Sequence, residues 1–412
     1  MNGNEGVYVG SEVGKLERVF LHRPGKELKR ITIDNKDDLL IDEIIWAERA
    51  AQNHDAFADL LRAHGAEVVY FQDCLTDVVR DEGVRSELIE DALNRETHDF
   101  NLRDALKRIV MEMTPAEVAE TLIGGMTKLE AGRRIGGGLK SLTFAAADDH
   151  AFFFRPLPNL YFQRDPFFFV RNGVVLSAMR FIARQREPLY AKYIFKHHPL
   201  FRGVKIIFGA DMRECSHPNV IEGGDFLVLD EDCVAIGVSQ RSKAGTIQAV
   251  GRQLARQVGL KKILAVDIPD RRAYMHLDTV FTMVDRDAFT IYPDVHKRMR
   301  VWELAYEEDG RLVGLTESDD VFDSLKRHLR LDRIRCIETG GGDPVEAARD
   351  QWNDGTNTFA IAPGVVVTYE CNIVSNRALR DNGIAVHEIN GSELGKGRGG
   401  PRCMSMPLKR AK

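Results

Sequence analysis

The sequence has no long apolar run and no paired cysteines. No stretch reaches the ~18 apolar residues that cross a bilayer, and residues 1–20 carry no apolar signal-peptide core. Six cysteines are scattered over 412 residues without a CxxC pair: Cys74, Cys215, Cys233, Cys336, Cys371 and Cys403. This pattern favours neither a disulfide framework nor a zinc site. It predicts a protein of the reducing cytoplasm, with no membrane as a partner.

An excess of basic charge is also missing. The chain has 57 Lys and Arg against 62 Asp and Glu, which gives a formal net charge of -5. Proteins that bind nucleic acid usually show a basic face, so we expect no nucleic-acid partner. With 44% hydrophobic and 29% charged residues, the composition is typical of a globular protein with a large core.

Hydrophobic periodicity divides the chain into three parts. Residues 1–74 contain a predicted strand at 17–21, a helix at 44–64 and a strand at 67–71. Residues 75–148 have helical patterns rich in Ala, Leu, Glu and Arg, with a capping box at 114–117. Residues 149–412 return to short β-rich runs with an occasional helix. We therefore predict an α/β chain in which an all-helical insertion, 75–148, separates a first β-rich unit from the others.

In the third part, strands are predicted by short apolar, β-branched or aromatic runs between turn signals. The first convincing strand signal begins at Phe152, and strands are predicted at 167–170, 174–176, 205–208, 226–229, 234–237, 262–266, 279–284, 288–291, 358–362 and 365–369. A helix is predicted at 243–257, with Ser242 as its N-cap and Gly259 near its end. The glycines of 340–343 lack the lysine of a phosphate-binding loop, so they predict a tight turn before a helix from Pro344.

Four short clusters carry the polar residues that could do chemistry. Each alone has a structural explanation, such as a turn, a bend, a core histidine or a small buried thiol. The clusters are Asn159 with Asp165, Glu222 with Asp225 around two glycines, His276 with Asp278, and Cys403 behind Arg398 and Arg402. The spacing of His276 and Asp278 would place both on one face of an extended segment.

Together these residue types suit attack on a guanidinium group. Its planar N–H fork matches carboxylates bidentately, and a cysteine thiolate could attack its carbon while a histidine shuttles protons. A free cysteine has a pKa of about 8.5, so nearby arginines, or the bound cation itself, would favour the thiolate. A metal site is the competing use of His and carboxylates, but HExxH and paired-histidine spacings are missing from the sequence.

Five stretches resemble the arginine deiminase family, and the resemblance runs over nearly the whole chain. They read LPNLYFQRDP, IEGGDF, MHLDTVF, TGGGDPVEAARDQWNDGTNTFAIAPGVVVTYECN and GRGGPRCMSMPL. The resemblance implies a pentein fold, a five-bladed α/β propeller of ββαβ units, with the helical insertion after the first unit. It also implies hydrolysis of L-arginine to L-citrulline and ammonia through a covalent cysteine S-alkylthiouronium intermediate. It further implies that the reaction needs no cofactor and no metal. It also implies a homo-oligomer, either a dimer or a tetramer.

The resemblance also carries residue roles onto this chain. It makes Cys403 the nucleophile and His276 the general acid and base, while Asp165 and Asp278 grip the guanidinium and Glu222 supports both guanidinium and histidine. A second set matches positions that bind the α-carboxylate of the substrate: Asn159, Arg184 and Arg241, with Arg398 as a loop arginine that moves on substrate binding. The sequence departs from the family pattern at Pro401-Arg402 and at Cys371, where an arginine is common.

Two other hypotheses stay open at this point. The first is another guanidine-modifying enzyme, such as an amidinotransferase or a hydrolase of agmatine or methylated arginine. Agmatine has no carboxylate, so Arg184, Arg241 and Arg398 argue against it, whereas residue types do not separate methylated substrates. The second is a non-catalytic arginine-binding protein, which would have no use for a nucleophile at Cys403.

Overall fold

The computed structural model describes residues 6–211 and 218–412; residues 1–5 and Cys215 lie outside this range. The strands are β1 Leu16–Leu21, β2 Glu67–Tyr70, β3 Met126–Thr127, β4 Phe152–Phe154, β5 Phe167–Val170, β6 Gly173–Leu176, β7 Lys205–Phe208, β8 Phe226–Val228, β9 Cys233–Val238, β10 Lys262–Asp267, β11 Phe281–Asp285, β12 Ala288–Ile291, β13 Val301–Tyr306, β14 Leu312–Ser318, β15 Arg335–Glu338, β16 Phe359–Ala362, β17 Val365–Tyr369, β18 Ala385–Ile389 and β19 Met406–Arg410.

The α-helices alternate with these strands and are concentrated between β2 and β4. They are α1 Ala47–Ala63, α2 Phe71–Val78, α3 Glu82–Leu93, α4 Phe100–Met111, α5 Pro115–Gly124, α6 Lys128–Ile135, α7 Leu142–Ala146, α8 Arg186–His197, α9 Ala244–Val258, α10 Pro293–His296, α11 Val321–Leu329, α12 Pro344–Trp352 and α13 Ile373–Asp381. No helix in the described ranges is long and apolar enough to cross a membrane.

Five sheets share one connection pattern, in which an antiparallel pair is followed by a strand parallel to its second member. Their strand orders are β19-β1-β2, β5-β6-β7, β8-β9-β10, β11-β12-β15 and β16-β17-β18, and β13 and β14 extend the third sheet beyond β10. A parallel pair needs a long crossover, which explains why a helix lies between the second and third strand of each unit. The alternating β-rich and helical runs of the sequence are these units.

The helices α2 to α7 occupy the segment between β2 and β4. The capping box predicted at Thr114 is present at the start of α5, where Thr114 and Glu117 bond to each other's backbone. The short strand β3, which the sequence did not indicate, pairs with β4. Apolar side chains of α2 to α5 share one hydrophobic cluster with residues of β5 and β6, and α2 and α3 contact α8, which in turn contacts β6.

Most predicted strands are present within one or two residues of their predicted ends. The structure corrects two local expectations. The N-cap of α9 is Lys243 rather than Ser242, because the Ser242 hydroxyl accepts a hydrogen bond from the Glu222 amide instead. His276 has extended backbone, but residues 277–279 form a 3₁₀ turn, so His276 and Asp278 do not belong to one extended segment.

The positions of the polar clusters follow from the repeated units. Each cluster lies in the loop that precedes the first strand of a sheet: Asp165 before β5, Glu222 before β8, His276 and Asp278 before β11, and Cys403 before β19. A fifth loop, residues 353–358, occupies the same position before β16. The candidate site residues therefore come from the same end of each repeated unit.

A buried histidine predicts a pH dependence of stability. His54 in α1 is fully buried, and both ring nitrogens lack a hydrogen-bond partner among the described residues. Burial, followed by the charge of His22, lowers the pKa of His54 to about 3. This folded-state pKa lies below the unfolded value of about 6.5. The contribution of the neutral His54 ring to the free energy of unfolding is therefore fully present above pH 6.5 and is lost as the pH falls below that value.

We expect His54→Leu to reduce the loss of stability in acid. The free energy of unfolding of the unaltered protein should fall below pH 6.5 with an extra slope of up to ~1.4 kcal/mol per pH unit from this histidine. Urea unfolding at a series of pH values measures the slope. His150→Leu, which removes an exposed histidine, is the control and should keep the original slope. Equal slopes for both variants would contradict the assignment.

Candidate active site

The predicted site residues converge on one pocket of about 170 Å³. It is formed by side chains and backbone from loops of different units. Its lining residues are Leu40, Asp42, Asn159, Phe162, Asp165, Phe181, Arg184, Gln240, Arg241, Arg272, Met275, His276, Gly397, Arg398 and Cys403. Glu222 and Asp278, both fully buried, lie directly behind this lining in contact with His276 and Cys403. The structure thus brings together all nine residues that the sequence indicated.

Cys403 lies on a tight turn just before β19 and is almost completely buried. Its Sγ is 3.8 Å from Asp278 Oδ2. Its backbone N–H donates to Asn357 Oδ1 at 3.0 Å, and Asn357 Nδ2 in turn donates to the Asp278 carbonyl at 3.2 Å. Asn357 therefore fixes the nucleophile loop relative to the acidic loop.

His276 is held between two carboxylates. Its Nε2 lies 2.9 Å from Glu222 Oε2, and its Nδ1 lies 3.6 Å from Asp165 Oδ1. Although burial alone would favour the neutral ring, Asp165 and Glu222 raise the pKa of His276 to about 9. Burial would likewise raise the pKa of Glu222, but Arg241 and His276 lower it to about 2. At neutral pH the pair is thus an imidazolium and a carboxylate.

Asp165 and Asp278 each have one oxygen that accepts a hydrogen bond and one that accepts none, although Asp165 Oδ1 lies 3.6 Å from His276 Nδ1. Asp165 Oδ2 accepts a hydrogen bond from Arg184, and Asp278 Oδ2 accepts one from Arg402 at 2.7 Å. No described residue donates a hydrogen bond to Asp165 Oδ1 or Asp278 Oδ1, and both atoms are buried. A buried acceptor without a donor is costly, so these two oxygens are the strongest structural indication of a missing cationic ligand.

The structure corrects the expectation that arginines activate the thiol. Arg402 is turned away to Asp278 and Glu12, and the Arg398 guanidinium stacks on the Trp352 ring with its carbon 3.4 Å from the centroid. Burial, and next the negative charge of Asp278, raises the pKa of the Cys403 thiol well above its ordinary value. The thiol is therefore protonated at neutral pH, because burial and the nearby carboxylates outweigh the charge of Arg402.

The residues expected at the carboxylate end of the substrate line the same pocket. Arg184 pairs with Glu187 at 2.8 Å as well as with Asp165, and Asn159 Nδ2 donates to the Leu39 carbonyl at 2.7 Å. Arg241 contacts Glu222 at 3.2 Å and lies over the Phe181 ring. The Nε of Arg241 and that of Arg398 are buried without a hydrogen-bond acceptor in the described ranges. Both guanidinium groups thus keep unused donors.

A positioning network behind the pocket was not indicated by the sequence. Asp225 accepts hydrogen bonds from the Leu277 amide at 2.8 Å and from the Ser239 hydroxyl at 2.7 Å. Ser239 Oγ also accepts from the amides of Arg241 and Ser242, at 2.9 and 3.1 Å. One buried carboxylate therefore links the loop of Glu222, the loop of His276 and the turn of Arg241.

The glycine pair beside Glu222 has a steric role. A Cβ on Gly224 would lie 2.4 Å from His276 Nδ1, and one on Gly223 would lie 2.0 Å from the Arg164 carbonyl oxygen. Neither space admits a side chain, so the imidazole can approach Asp165 and Glu222 only over glycine. The sequence signal was the EGGD motif, but its partner could not be identified without the fold.

Sequence comparison agrees with this arrangement. A family model described as arginine deiminase matches residues 37–410. The chain belongs to the arginine deiminase family. Arginine deiminases of Streptococcus pneumoniae strain CGSP14 and Streptococcus sanguinis strain SK36 are each 42% identical to it over 412 residues, covering 98% of this chain and 98% of theirs.

Structural comparison supports the fold of this family member. The chain is similar to SxtG, an amidinotransferase from Microseira wollei, with a TM-score of 0.55 over 99% of this chain and 98% of that one, at 12% identity. It also resembles AgrE, solved in a ternary complex with ornithine and NAD+, with a TM-score of 0.54 over 96% of this chain and 39% of that one, at 14% identity. These neighbours have the pentein fold, and the chain shares their α/β architecture.

Across residues 6–211 and 218–412, no group of three or more His, Cys, Asp or Glu side chains has an arrangement that could hold a metal ion. The polar groups of the pocket instead alternate acidic and basic residues, as the distances above describe.

The network of Asp225 yields a prediction. Ser239→Ala leaves the amides of Arg241 and Ser242 without their acceptor and removes a donor from Asp225. Each buried polar group left unpaired costs ~1–3 kcal/mol, so we expect lower stability together with a reduced kcat as the loops of Glu222 and His276 relax. Urea unfolding and citrulline formation measure the two effects. Ser392→Ala, which alters an exposed turn hydroxyl, is the control, and identical behaviour of both variants would contradict the network.

Proposed function

We propose that this protein hydrolyses L-arginine to L-citrulline and ammonia, with Cys403 as the nucleophile. The observation that carries the proposal is the pair of buried carboxylate oxygens, one on Asp165 near the His276 imidazolium and one on Asp278 near the Cys403 thiol, that accept no hydrogen bond from a described residue. A guanidinium can satisfy both oxygens with its own N–H groups and bring a positive charge next to the Cys403 sulfur. The family membership supports the same reaction.

The other end of the pocket suits the α-amino acid part of the substrate. Arg241 and Arg398 keep unused donors, and Arg184 and Asn159 lie beside them. We infer that these residues bind the α-carboxylate, with Arg398 leaving Trp352 as the substrate enters. Binding at both ends would hold the guanidinium carbon over the Cys403 sulfur, which gives the proximity that nucleophilic attack needs.

Because the pKa of the Cys403 thiol is high without substrate, we infer that substrate binding activates the thiol. A guanidinium next to the sulfur favours the thiolate, so the thiol proton is released to solvent when the substrate binds. The thiolate then attacks the guanidinium carbon and forms a C–S bond. His276, protonated at neutral pH, donates its proton to the departing nitrogen, so that ammonia leaves and an S-alkylthiouronium remains.

Hydrolysis of this intermediate completes the reaction. Neutral His276 takes a proton from water, and the resulting hydroxide attacks the same carbon. The C–S bond then breaks while the hydroxyl proton passes to the departing sulfur, which releases citrulline and restores the Cys403 thiol. Glu222, which contacts His276 Nε2 at 2.9 Å, orients the ring and stabilises its charged form in both half-reactions.

The finer architecture is also a proposal. We infer that the five units form a five-bladed propeller around a pseudo-fivefold axis, with residues 1–74 as the first unit, 75–148 as the helical insertion and 149–412 as the others. The repeated strand connections and the clustering of the five pre-strand loops at one pocket support it. We further propose a cytoplasmic location, which is consistent with the free state of the five cysteines in the described ranges.

The reaction is tested by citrulline formation from L-arginine. We expect activity in EDTA-treated protein and citrulline at background level in Cys403→Ala, because that variant has no nucleophile. Cys336→Ala, which removes an exposed cysteine, is the matched control and should keep full activity. Turnover by folded Cys403→Ala would exclude the covalent mechanism. Lack of citrulline from the unaltered, folded protein would exclude the proposed substrate.

Substrate choice tests the carboxylate end of the pocket. Arg241→Ala should lower kcat/KM for L-arginine by roughly 10- to 100-fold, because a hydrogen bond to a charged group contributes ~1.5–3 kcal/mol. The kcat/KM for agmatine, which has no carboxylate, should fall less. The ratio of kcat/KM for L-arginine to that for agmatine should therefore decrease. Arg271→Ala, an exposed arginine near the pocket, is the control. An unchanged ratio of the two substrates in Arg241→Ala would remove Arg241 from carboxylate binding.

A further inference from the structure

Arg398 is a buried arginine whose side chain has no ionic partner. The residue is only 8% exposed, and its side chain forms no hydrogen bond or ion pair with any described residue. The other arginines of the pocket differ, since Arg184 pairs with Asp165 and Arg241 pairs with Glu222. Burial lowers the pKa of Arg398, which shows that its charge is poorly compensated. A charge removed from water without a counterion is costly, so Arg398 is ready to bind an anion.

The indole ring of Trp352 is the contact that holds the Arg398 guanidinium. The guanidinium carbon lies 3.4 Å from the ring centroid, which is van der Waals contact with the electron-rich face of the ring. Arg398 lines the active-site pocket, whereas Trp352 lies outside its lining and is 54% exposed. The side chain of Arg398 thus extends from the pocket wall to a ring on the protein surface.

The position of Trp352 is fixed by its helix. Trp352 is the last residue of α12, whose first turn is capped by the Asp343 carboxylate. Near the other end of α12, Asp350 accepts a hydrogen bond from the Ser375 amide at 3.0 Å, which ties this helix to α13. The ring is therefore a stationary surface next to the pocket entrance.

The loop that carries Arg398 is held by two buried tyrosines. Tyr161 donates its hydroxyl hydrogen to the Leu394 carbonyl at 2.9 Å, and Tyr369 donates to the Gly399 carbonyl at 2.8 Å. Between these points Arg398 has a φ of 66°, a left-handed conformation that residues other than glycine seldom adopt. Such a conformation persists only where its surroundings impose it. With the loop ends bonded, rotation of the side chain is the simplest way for the guanidinium to leave the ring.

We propose that Trp352 is a positioning residue that holds the Arg398 guanidinium outside the substrate site and thereby sets the affinity for ligands with an α-carboxylate. A carboxylate competes with the indole ring and offers Arg398 the charge-assisted hydrogen bonds that it lacks. Because the stack must break first, the apparent affinity is lowered by the fraction of protein in which Arg398 is stacked. The inference rests on the proposed function only in assigning the α-carboxylate to Arg398.

The stack should affect substrate and product alike. L-arginine and L-citrulline both carry an α-carboxylate, so both must draw Arg398 away from Trp352. Return of the guanidinium to the ring then favours release of L-citrulline. Agmatine has no carboxylate, and its binding should be independent of Trp352.

Dissociation constants measured by calorimetry in a Cys403→Ala background test this inference without turnover. Adding Trp352→Leu should tighten L-arginine and L-citrulline binding by roughly 3- to 10-fold, the range expected for loss of a competing cation–π contact. Agmatine binding should change less than about twofold. Trp352→Phe, which keeps an aromatic face, should lie between the two. Trp302→Leu is the matched control, because it removes a ring that contacts Arg300 and should leave all affinities unchanged.

Fluorescence follows the departure of the guanidinium directly. The chain has three tryptophans, so Trp46→Phe/Trp302→Phe in the Cys403→Ala background leaves Trp352 as the reporter. L-arginine should shift its emission to longer wavelength as water replaces the guanidinium, whereas agmatine should not. Arg398→Ala should abolish the response to L-arginine.

Three results would overturn the role of Trp352. They are unchanged or weaker L-arginine binding in Trp352→Leu, constant Trp352 emission at saturating L-arginine, and an equal emission shift with agmatine. Failure of the proposed reaction would look different: the unaltered protein would form no citrulline, while Trp352→Leu would still bind L-arginine more tightly in the Cys403→Ala background.

Discussion

The burial of carboxylate charge is the constraint on which this active site depends. Glu12, Asp165, Glu222 and Asp278 are all removed from water, and an isolated buried carboxylate would be strongly destabilising. Each is therefore matched by a buried cation, as in the pairs of Asp278 with Arg402 and of Glu222 with Arg241. The arginines behind the pocket thus stabilise the acidic site rather than the thiolate.

The pairing of buried carboxylates with cations is incomplete, and the proposed reaction depends on the oxygens that accept no hydrogen bond. Asp165 and Asp278 keep one free oxygen each, while the burial of Cys403 among negative groups holds its proton in place. A single cationic substrate corrects both conditions, since it occupies the free oxygens and favours the thiolate. Binding and activation are therefore coupled by electrostatics, and the thiol is least reactive when no guanidinium is present.

Sequence analysis succeeded where the signal was local. The strands and the capping box of α5 follow from periodicity and turn chemistry, and the motifs around Asp165, Glu222, His276 and Cys403 indicated the pocket. It failed where a role depends on distant pairing. Arg402 adjoins Cys403 in sequence but pairs with Glu12, 390 positions earlier in the chain, and its lowering effect on the pKa of the thiol is outweighed by burial and by Asp278, which the sequence could not show.

Other roles were missed for related reasons. Asn357 is one polar residue in a long motif, and only the repeated units show that its loop is equivalent to the loops of the other site residues. Strands β13 and β14 were missed because their sequence, with the acidic turn 307–309 between them, lacks the apolar alternation of a half-buried strand. An edge strand that exposes its apolar residues gives a weak signal of its own.

The same geometry makes the nucleophile dependent on the first sheet. Cys403 lies three residues before β19, which pairs antiparallel with β1, while Arg402 bonds to Glu12 just before β1. The thiol, the arginine that neutralises Asp278 and the strand that fixes both are thus placed by one long-range contact. Until β19 docks beside β1, Asp278 has no Arg402 partner and the pocket has no nucleophile. The active site is therefore complete only when this sheet has formed.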